Sequence, residues 1–324
     1  MQRGPADADW MAVAIALSRR GRPESAPNPN VGCLIVKDGK AVARGWTQAG
    51  GRPHAEAMAL DAAGEDARGA TAYVTLEPCA HASARGPACS DSLIAAGIAR
   101  VVIAAQDPDP RTDGQGIARL QAAGIEIISN LLPAEARAAM APWWTRQTEG
   151  RPFVTLKLAT SLDGCIARAD GSSRWITGAR ARAHGHLERA NHQAILVGRG
   201  TLAADAPRLD VRLPGLEDRS PKRFLLTNGE APEGWTAVAS PHAIDDVDSV
   251  LVEGGAGAAS AFLAADRVDR LLLYRAPILI GGGKPALGDI GLTDLDQAHG
   301  RWRLTDTRLL GSDRLEVYER VRKG

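Results

Sequence analysis

Aromatic residues make up only 4% of this 324-residue sequence, and its charges nearly cancel: 39 lysines and arginines against 38 acids, a net charge of +1. With no basic excess, and no interleaving of aromatic with basic residues, the chain lacks the footprint of a nucleic-acid binder or of a protein drawn to an anionic membrane. Long apolar runs are missing too. The one N-terminal apolar stretch, "MAVAIALS", is far too short to span a bilayer, and it follows Asp7 and Asp9 rather than basic residues, which argues against an export signal. Trp10, Val13, Ala14 and Leu17 fall on one helical face, so the stretch predicts a surface helix packed on a core. Cysteine is scarce: Cys33, Cys79, Cys89 and Cys165 are too few for a disulfide framework in a chain of this size, and the expected compartment is the cytoplasm. There is no internal repeat and no low-complexity tract. The length is ample for two domains with cores of their own.

From 31 to 130 the pattern alternates strand and helix. "VGCLIV" and "KDGKAVARGW" predict a hairpin turning at Asp38-Gly39. A helix from His54, the strand "TAYVTL", the helix "CSDSLIAAG", the strand "RVVIAA", a helix near 115–123 and the strand "IEIIS" follow. Short Val- and Ile-rich strands, with helices closing on glycine, predict an α/β sandwich. "AAMAPWWTRQTEGRP" breaks the rhythm and "FVTLKLATSLDG" starts a fresh α/β series, so the boundary is expected near 146–150, with domains of 1–146 and 147–324. "SRWITG", "QAILVGRG", "RFLLTN", "DSVLVEGG" and "RLLLYRAPILI" are the expected later strands.

Chemistry enters at "HAEAMAL". Glu56 alone reads as an acid complementing a helix N-terminus, but His54 has no such explanation. Downstream, in "TLEPCAHASARGPACSDSL", Cys79 follows a strand and Pro78, and Cys89 opens a helix. One histidine and two thiolates make three ligands, leaving the fourth position of a tetrahedral zinc open for water, as a catalytic site requires. Glu56, two residues after His54, can then shuttle protons without being a ligand, the arrangement of zinc nucleobase deaminases. A closed structural zinc with His81 as fourth ligand is the competing reading. Cys33 and Cys165 read as small apolar core residues.

The motifs "APNPNVGCLIVKDG", "GGRPHAEAMAL", "TLEPCAH" and "IAAQDPDP", with a long loop between the two cysteines, resemble those of the bifunctional riboflavin-biosynthesis deaminase–reductases, and the resemblance covers nearly the whole chain. It implies a cytidine-deaminase-like α/β/α sandwich for the first half. It also implies that Asn28, His81 and Arg85 contact the pyrimidine and the ribose phosphate. Two departures fall on substrate contacts. The loop "HASARGPAC" is one residue longer than the family's usual loop, and Thr47 stands where the family often has histidine.

In the second half, "VLVEGGAGAASAF" is a strand running into glycines and then a small-residue helix, a ready anion site for a dinucleotide phosphate. Its glycines miss the Rossmann pattern, and "GGGK" at 281–284 is no P-loop because no Ser or Thr follows the lysine. Taken alone, these features leave open a domain for assembly or substrate binding without chemistry. The order Ser-Leu-Asp-Gly, Trp-Ile-Thr, Gly-x-Gly-Thr and Glu-Gly-Gly resembles the same family's reductase half, which is similar in fold to dihydrofolate reductase and uses NADPH to reduce a ribosyl to a ribityl chain. By that resemblance Ala159, Trp175, Thr201, Asp205 and the loop of Gly255, Ala256, Gly257, Ala258, Ala259, Ser260 and Ala261 hold the nucleotide. Lys157, Ser173, Arg189, Leu209, Arg212 and Glu253 face the sugar phosphate.

The expectation is therefore a two-domain α/β enzyme with zinc and NADPH. It would deaminate 2,5-diamino-6-ribosylamino-4(3H)-pyrimidinone 5′-phosphate and then reduce the ribosyl chain, as a homo-oligomer, dimer or tetramer, without nucleic-acid or membrane partners. The alternatives are a deaminase of another pyrimidine or of tRNA with a non-catalytic second half, and a zinc-binding scaffold.

Overall fold

In a computed structural model describing residues 6–81 and 85–322, the chain begins with helix α1 (Asp7–Ser18), whose first-turn acids Asp7 and Asp9 complement the helix dipole. Strands β1 (Gly32–Lys37) and β2 (Lys40–Trp46) form the expected hairpin, with Asp38 and Gly39 both at positive φ, 51° and 70°. Helix α2 (Ala55–Ala63), β3 (Thr71–Val74), α3 (Cys89–Ala95), β4 (Arg100–Ile103), α4 (Gln115–Ala122) and β5 (Glu126–Ile128) follow. The sheet order is β2-β1-β3-β4-β5, antiparallel across β1 and parallel from β3 to β5.

Two glycines set the layers. A Cβ on Gly32 would lie 2.0 Å from the Ala14 carbonyl oxygen, and one on Gly45 would lie 2.2 Å from that of Ala55. Gly45 pairs with Cys33, so successive residues Gly32 and Cys33 present opposite faces, α1 packing on one and α2 on the other. Contact at Ala14 and Ser18 also fixes the rotation of α1. Its buried residues are Met11, Ala14, Ile15, Leu17 and Ser18, so Ala14 and Leu17 face inward as expected, whereas Val13, also expected inward, is 43% exposed.

The stretch around "PWW", where the strand–helix rhythm breaks, lies in two successive helices, α5 (Pro133–Ala139) and α6 (Ala141–Glu149). Gly150, at φ 66°, caps α6, and the chain divides there into units 1–150 and 151–324. The break after 150 lies at the far end of the expected 146–150, because α6 runs through that span.

The second unit is built on β6 (Phe153–Thr160), followed by β7 (Cys165–Ala167), α7 (Ala179–Ala190), β8 (Ala194–Gly198), α8 (Arg199–Asp205), β9 (Lys222–Leu226) and β10 (Trp235–Val238). Then come β11 (Ser249–Val252), α9 (Ala256–Ala264), β12 (Arg270–Arg275), β13 (Lys284–Pro285), β14 (Trp302–Leu310) and β15 (Asp313–Arg320). The sheet order is β10-β9-β8-β11-β6-β12-β15-β14: the first six strands are parallel, and β15 and β14 close the sheet antiparallel. Strand β7 pairs with β13.

Two expected strands change. "SRWITG" is turn and bend, with Trp175 66% exposed against the Arg182 guanidinium, 4.7 Å from its ring. "RLLLYRAPILI" is strand only to Arg275; Pro277 has no N–H to give a ladder, and the N–H groups of Ile280 and Gly281 go to the Asp163 carboxylate at 3.2 and 2.8 Å. A buried carboxylate anchors the edge of this unit. Asp269 takes both terminal nitrogens of Arg151 at 2.8 Å, the Val154 N–H at 2.8 Å, and a further bond from Arg322. Among the described residues no helix is long and apolar enough to cross a membrane.

Gly32→Ala and Gly45→Ala each force a methyl group into helix backbone. Each should lower the stability of the first unit by about 3 kcal/mol or more, read from urea unfolding. A parent-like midpoint for either variant would show that the helix can back away freely.

Candidate active sites

His54, Cys79 and Cys89 meet where the parallel strands of the first unit end. Residue 54 is the N-cap of α2, Cys79 follows β3, and Cys89 is the first residue of α3. Their donor atoms all lie within 4.8 Å of one another, with His54 Nδ1 3.2 Å from Cys89 Sγ and 3.7 Å from Cys79 Sγ. Ligands at zinc's ordinary bond lengths, arranged tetrahedrally, would stand about 3.5 Å apart, so the donor set and its spacing both fit that ion. The Cys89 N–H points at Cys79 Sγ at 3.3 Å. Hydrogen bonding from Cys89, with help from His54, holds the Cys79 thiol down at about 4 despite burial, while Cys89, the donor of the pair, is driven well up. His81 stands apart from this cluster, its Nδ1 3.5 Å from the Thr112 hydroxyl.

Glu56 is buried in the first turn of α2, beside Cys89. Burial pushes its carboxyl up; the charge of His54 and a hydrogen bond with Cys89 oppose this, and the charge of Cys79 adds to it. Cys33, read from sequence as a small core residue, faces the same carboxylate, and burial and Glu56 together push its thiol well up. Asn28 has its amide nitrogen 3.0 Å from the Gly51 carbonyl and 3.2 Å from His54 Nε2. Arg85 donates to the Gly50 carbonyl at 2.8 Å, which ties its loop to the one preceding His54. Thr47 is buried, and its hydroxyl accepts the Val31 N–H at 3.0 Å.

Sequence reasoning gave no role to Asp107, in the quoted "QDPDP". Its carboxyl is pushed up to about 7 by burial and by the charges of Asp109, Glu77 and Cys79, against a bond from the Asp109 N–H. The signal was in the motif, but its depth was not. Glu77 is buried too, accepting the N–H groups of Asp107 (3.3 Å), Gly114 (3.0 Å) and Ile117 (3.1 Å).

In the second unit, the carboxyl ends of the parallel strands gather most of the expected residues, the usual position for ligands in such sheets. Lys157 and Ala159 lie on β6, and Glu253 and Gly255 follow β11. The Thr201 hydroxyl accepts the Gly255 N–H at 2.9 Å. Glu253 is clasped by Arg189 through two bonds of 2.8 and 2.9 Å, with Lys157 Nζ 4.0 Å away, and the third Arg189 donor goes to the Asp210 carbonyl at 3.1 Å. Burial raises the Glu253 carboxyl, but the Arg189 bonds and the charges of Lys157 and Arg189 outweigh it and hold it at about 2. Arg212 is exposed and 3.4 Å from Asp210, and Asp205 pairs with Arg174 at 3.5 Å. Ser173 lies half-buried in the loop before α7.

Several expected contacts have their side chains engaged elsewhere. Ala258 and Ala259 pack in the core, the Ser260 hydroxyl takes the Gly288 N–H at 2.8 Å, and Leu209 is buried under β8 and β9. Of the Gly255–Ala261 loop, Gly257 is exposed and Gly255, Ala256 and Ala261 are half-buried. Unforeseen from sequence are Tyr274, whose ring lies 5.7 Å from Lys157 Nζ, and His184, whose Nδ1 is 2.7 Å from the Tyr274 hydroxyl.

Comparison with known proteins bears on both units. Residues 5–105 match the cytidine and deoxycytidylate deaminase zinc-binding region, and residues 152–239 and 242–315 match the RibD C-terminal domain. The riboflavin biosynthesis protein RibD of Escherichia coli is 39% identical, over 95% of this chain and 97% of its own. The chain belongs to the RibD family. A RibD structure from Acinetobacter baumannii superposes with a TM-score of 0.85 at 34% identity, over 98% of this chain and 99% of that one. A Thermotoga maritima diaminohydroxyphosphoribosylaminopyrimidine deaminase/5-amino-6-(5-phosphoribosylamino)uracil reductase gives 0.85 at 32% identity, over 97% and 99%. As a RibD protein, the chain carries the deaminase and reductase domains of the riboflavin pathway together, and zinc and NADPH are the cofactors these domains imply.

Glu253 gives this RibD chain an acid sensitivity of known sign. Its folded pKa lies below the ordinary 4.5, so its contribution is complete above that value and is lost as pH falls toward 2. The parent should lose a few kcal/mol across that window. Glu253→Gln should be less stable near neutrality and flatter with acid, as followed by denaturant unfolding at stepped pH. Parallel curves for the two proteins would refute the assignment.

Proposed function

We propose that the first unit removes an amino group hydrolytically from 2,5-diamino-6-ribosylamino-4(3H)-pyrimidinone 5′-phosphate, and that the second reduces the product's ribosyl chain to ribityl with NADPH. The observation that carries the reading is the convergence of His54, Cys79 and Cys89 with a buried Glu56 alongside them. Zinc, held by those three residues, would lower the pKa of water so that a nucleophile is available near neutral pH.

Glu56 would serve as the proton carrier, accepting a proton from the attacking water and passing it to the departing nitrogen, so that an amino group and water become a carbonyl and ammonia. Its raised pKa suits a group that must both accept and donate. Asn28, His81 and Arg85 border the pyrimidine and the phosphate.

In the second unit NADPH, when bound, would supply the hydride for a ring-opened imine carbon, and the chain's own residues must deliver a proton to the imine nitrogen. Lys157, beside the ionised Glu253, is placed to give that proton. Arg189 spends its donors on Glu253 and the Asp210 carbonyl and so aims the carboxylate, which leaves the exposed Arg212 for the phosphate. The exposed first turn of α9, with Thr201 and Trp175, is the surface offered to the nucleotide. The cytoplasm is the compartment we infer, in keeping with a chain of this size that has only four cysteines.

In the full chain, Glu56→Gln should keep zinc, measured by metal analysis, and lose deamination by about 10²-fold or more. The same variant should still oxidise NADPH when given pre-deaminated substrate. Deamination near the parent rate would reduce Glu56 to a helix-start acid. Glu253→Gln should invert this pattern, with deamination and NADPH binding by fluorescence intact and NADPH oxidation falling by about 10²-fold. Parent-like turnover there would remove the Glu253–Lys157 pair from the chemistry.

A further inference from the structure

NADPH differs from NADH only in the phosphate on the 2′ oxygen of the adenosine ribose, and an arginine fork is the group that matches such a phosphate. Four arginines close to the candidate site of the second unit are already committed to a carboxylate. Arg174 faces Asp205 at 3.5 Å, Arg189 holds Glu253 at 2.8 Å, and Arg208 and Arg212 share Asp210 at 2.8 and 3.4 Å. Arg199, the first residue of α8, is exposed and has neither an ion pair nor a hydrogen bond from its side chain among the described residues.

The fold orders the parts of a dinucleotide around this arginine. Hydride is needed beside Lys157 and Glu253, on β6 and just after β11. The leading N–H groups of a helix have no partner inside it and favour an anion. Those of α9 open at Gly257, where a Cβ would meet nothing within 4 Å, so a pyrophosphate fits there. In the sheet order β9-β8-β11-β6, the neighbour of β11 on the side away from β6 is β8. Its last residue, Gly198, lies against the same turn: a Cβ there would stand 3.5 Å from Ala258 Cβ. Thr201, three residues on, bonds the Gly255 N–H and ties α8 to the start of α9.

We propose that Arg199 is the specificity residue for NADPH, receiving the 2′-phosphate as the adenosine passes from α9 over the end of β8 toward β9. Arg199 follows Gly198 directly, and Gly198 pairs with Leu226 of β9, so the arginine stands where that path crosses the sheet. The acid of its own helix, Asp205, is at the far end of α8 and on Arg174, which leaves no carboxylate of α8 to compete for the fork. The inference rests on the reading of the second unit as an NADPH reductase and deepens it.

The test uses the full chain and reads binding rather than turnover: NADPH against NADH by fluorescence, and 2′,5′-ADP against 5′-AMP by calorimetry. The parent should bind NADPH and 2′,5′-ADP more tightly than the molecules that lack the 2′-phosphate. Arg199→Ala should weaken NADPH and 2′,5′-ADP about 10–100-fold, as for one charge-assisted contact, and leave NADH and 5′-AMP at parent levels. Arg199→Lys, which keeps the charge without the fork, should fall between the two. An Arg199→Ala chain that lost NADH as steeply as NADPH would overturn the proposal, because the arginine would then serve the pyrophosphate or the fold. So would unchanged NADPH affinity in Arg199→Ala, or a parent that does not distinguish NADPH from NADH. A parent that bound neither dinucleotide would sink the reductase reading itself, and this inference with it.

Discussion

A hydrogen atom in place of a side chain at Gly45 lets the first turn of α2 rest directly on β2, and the chemistry of the first unit depends on that contact. Any Cβ there would collide with the Ala55 carbonyl. Ala55 sits between His54 and Glu56, so the contact fixes the height of both above the sheet. The other half of the site is pinned by the same means. Gly116 brings α4 against the Pro78 carbonyl, within 2.0 Å of where a Cβ would be, and the Glu77 carboxylate takes N–H groups from Gly114 and Ile117. Cys79, next in the chain, thus hangs from a segment locked at the start of α4.

The second unit relies on charge rather than on backbone contact. Buried carboxylates are costly unless their partners are complete, and two in this unit are satisfied differently. Asp269 takes two arginines and a backbone N–H, and its role is to hold β6, β12 and the C-terminal segment together. Glu253 has one arginine in tight contact and a lysine at 4.0 Å. Within a single sheet, one buried carboxylate is thus fully enclosed by its partners and the other is paired less completely.

Much of this was legible in the chain because the signals were local. The Asp38-Gly39 turn, the spacing of His54 and Glu56, and Cys89 at a helix start each lie within a few residues of what they control. The rotation of α1 was not legible, because it is set by Gly32 in another element, and apolar periodicity alone placed Val13 inward. "SRWITG" has the composition of a strand, yet the sheet has no neighbour for it, and Trp175 lies on Arg182 instead. Strands β14 and β15 escaped notice for the opposite reason. On an edge hairpin, alternating charges such as Arg303, Asp306 and Arg308 read as loop. Glu253 could be named from its motif, but its pairing with Arg189, 64 residues earlier, is a property of the fold.

The strand order of the second unit has a consequence for how the protein is made. Strand β6 is synthesised first, but its sheet neighbours are β11 and β12, so Phe153 waits for Ser249 and Thr155 for Arg270. The Arg151–Asp269 clasp closes over the same interval. Until the chain has been translated past Ser249, β6 has no partner on either side, and long-range parallel pairing of this kind is intrinsically slow. The first unit, whose β1–β2 hairpin closes locally, can fold meanwhile. The order of the two domains on one chain thus lets the deaminase half mature while the reductase half is still waiting for the strands that will enclose β6.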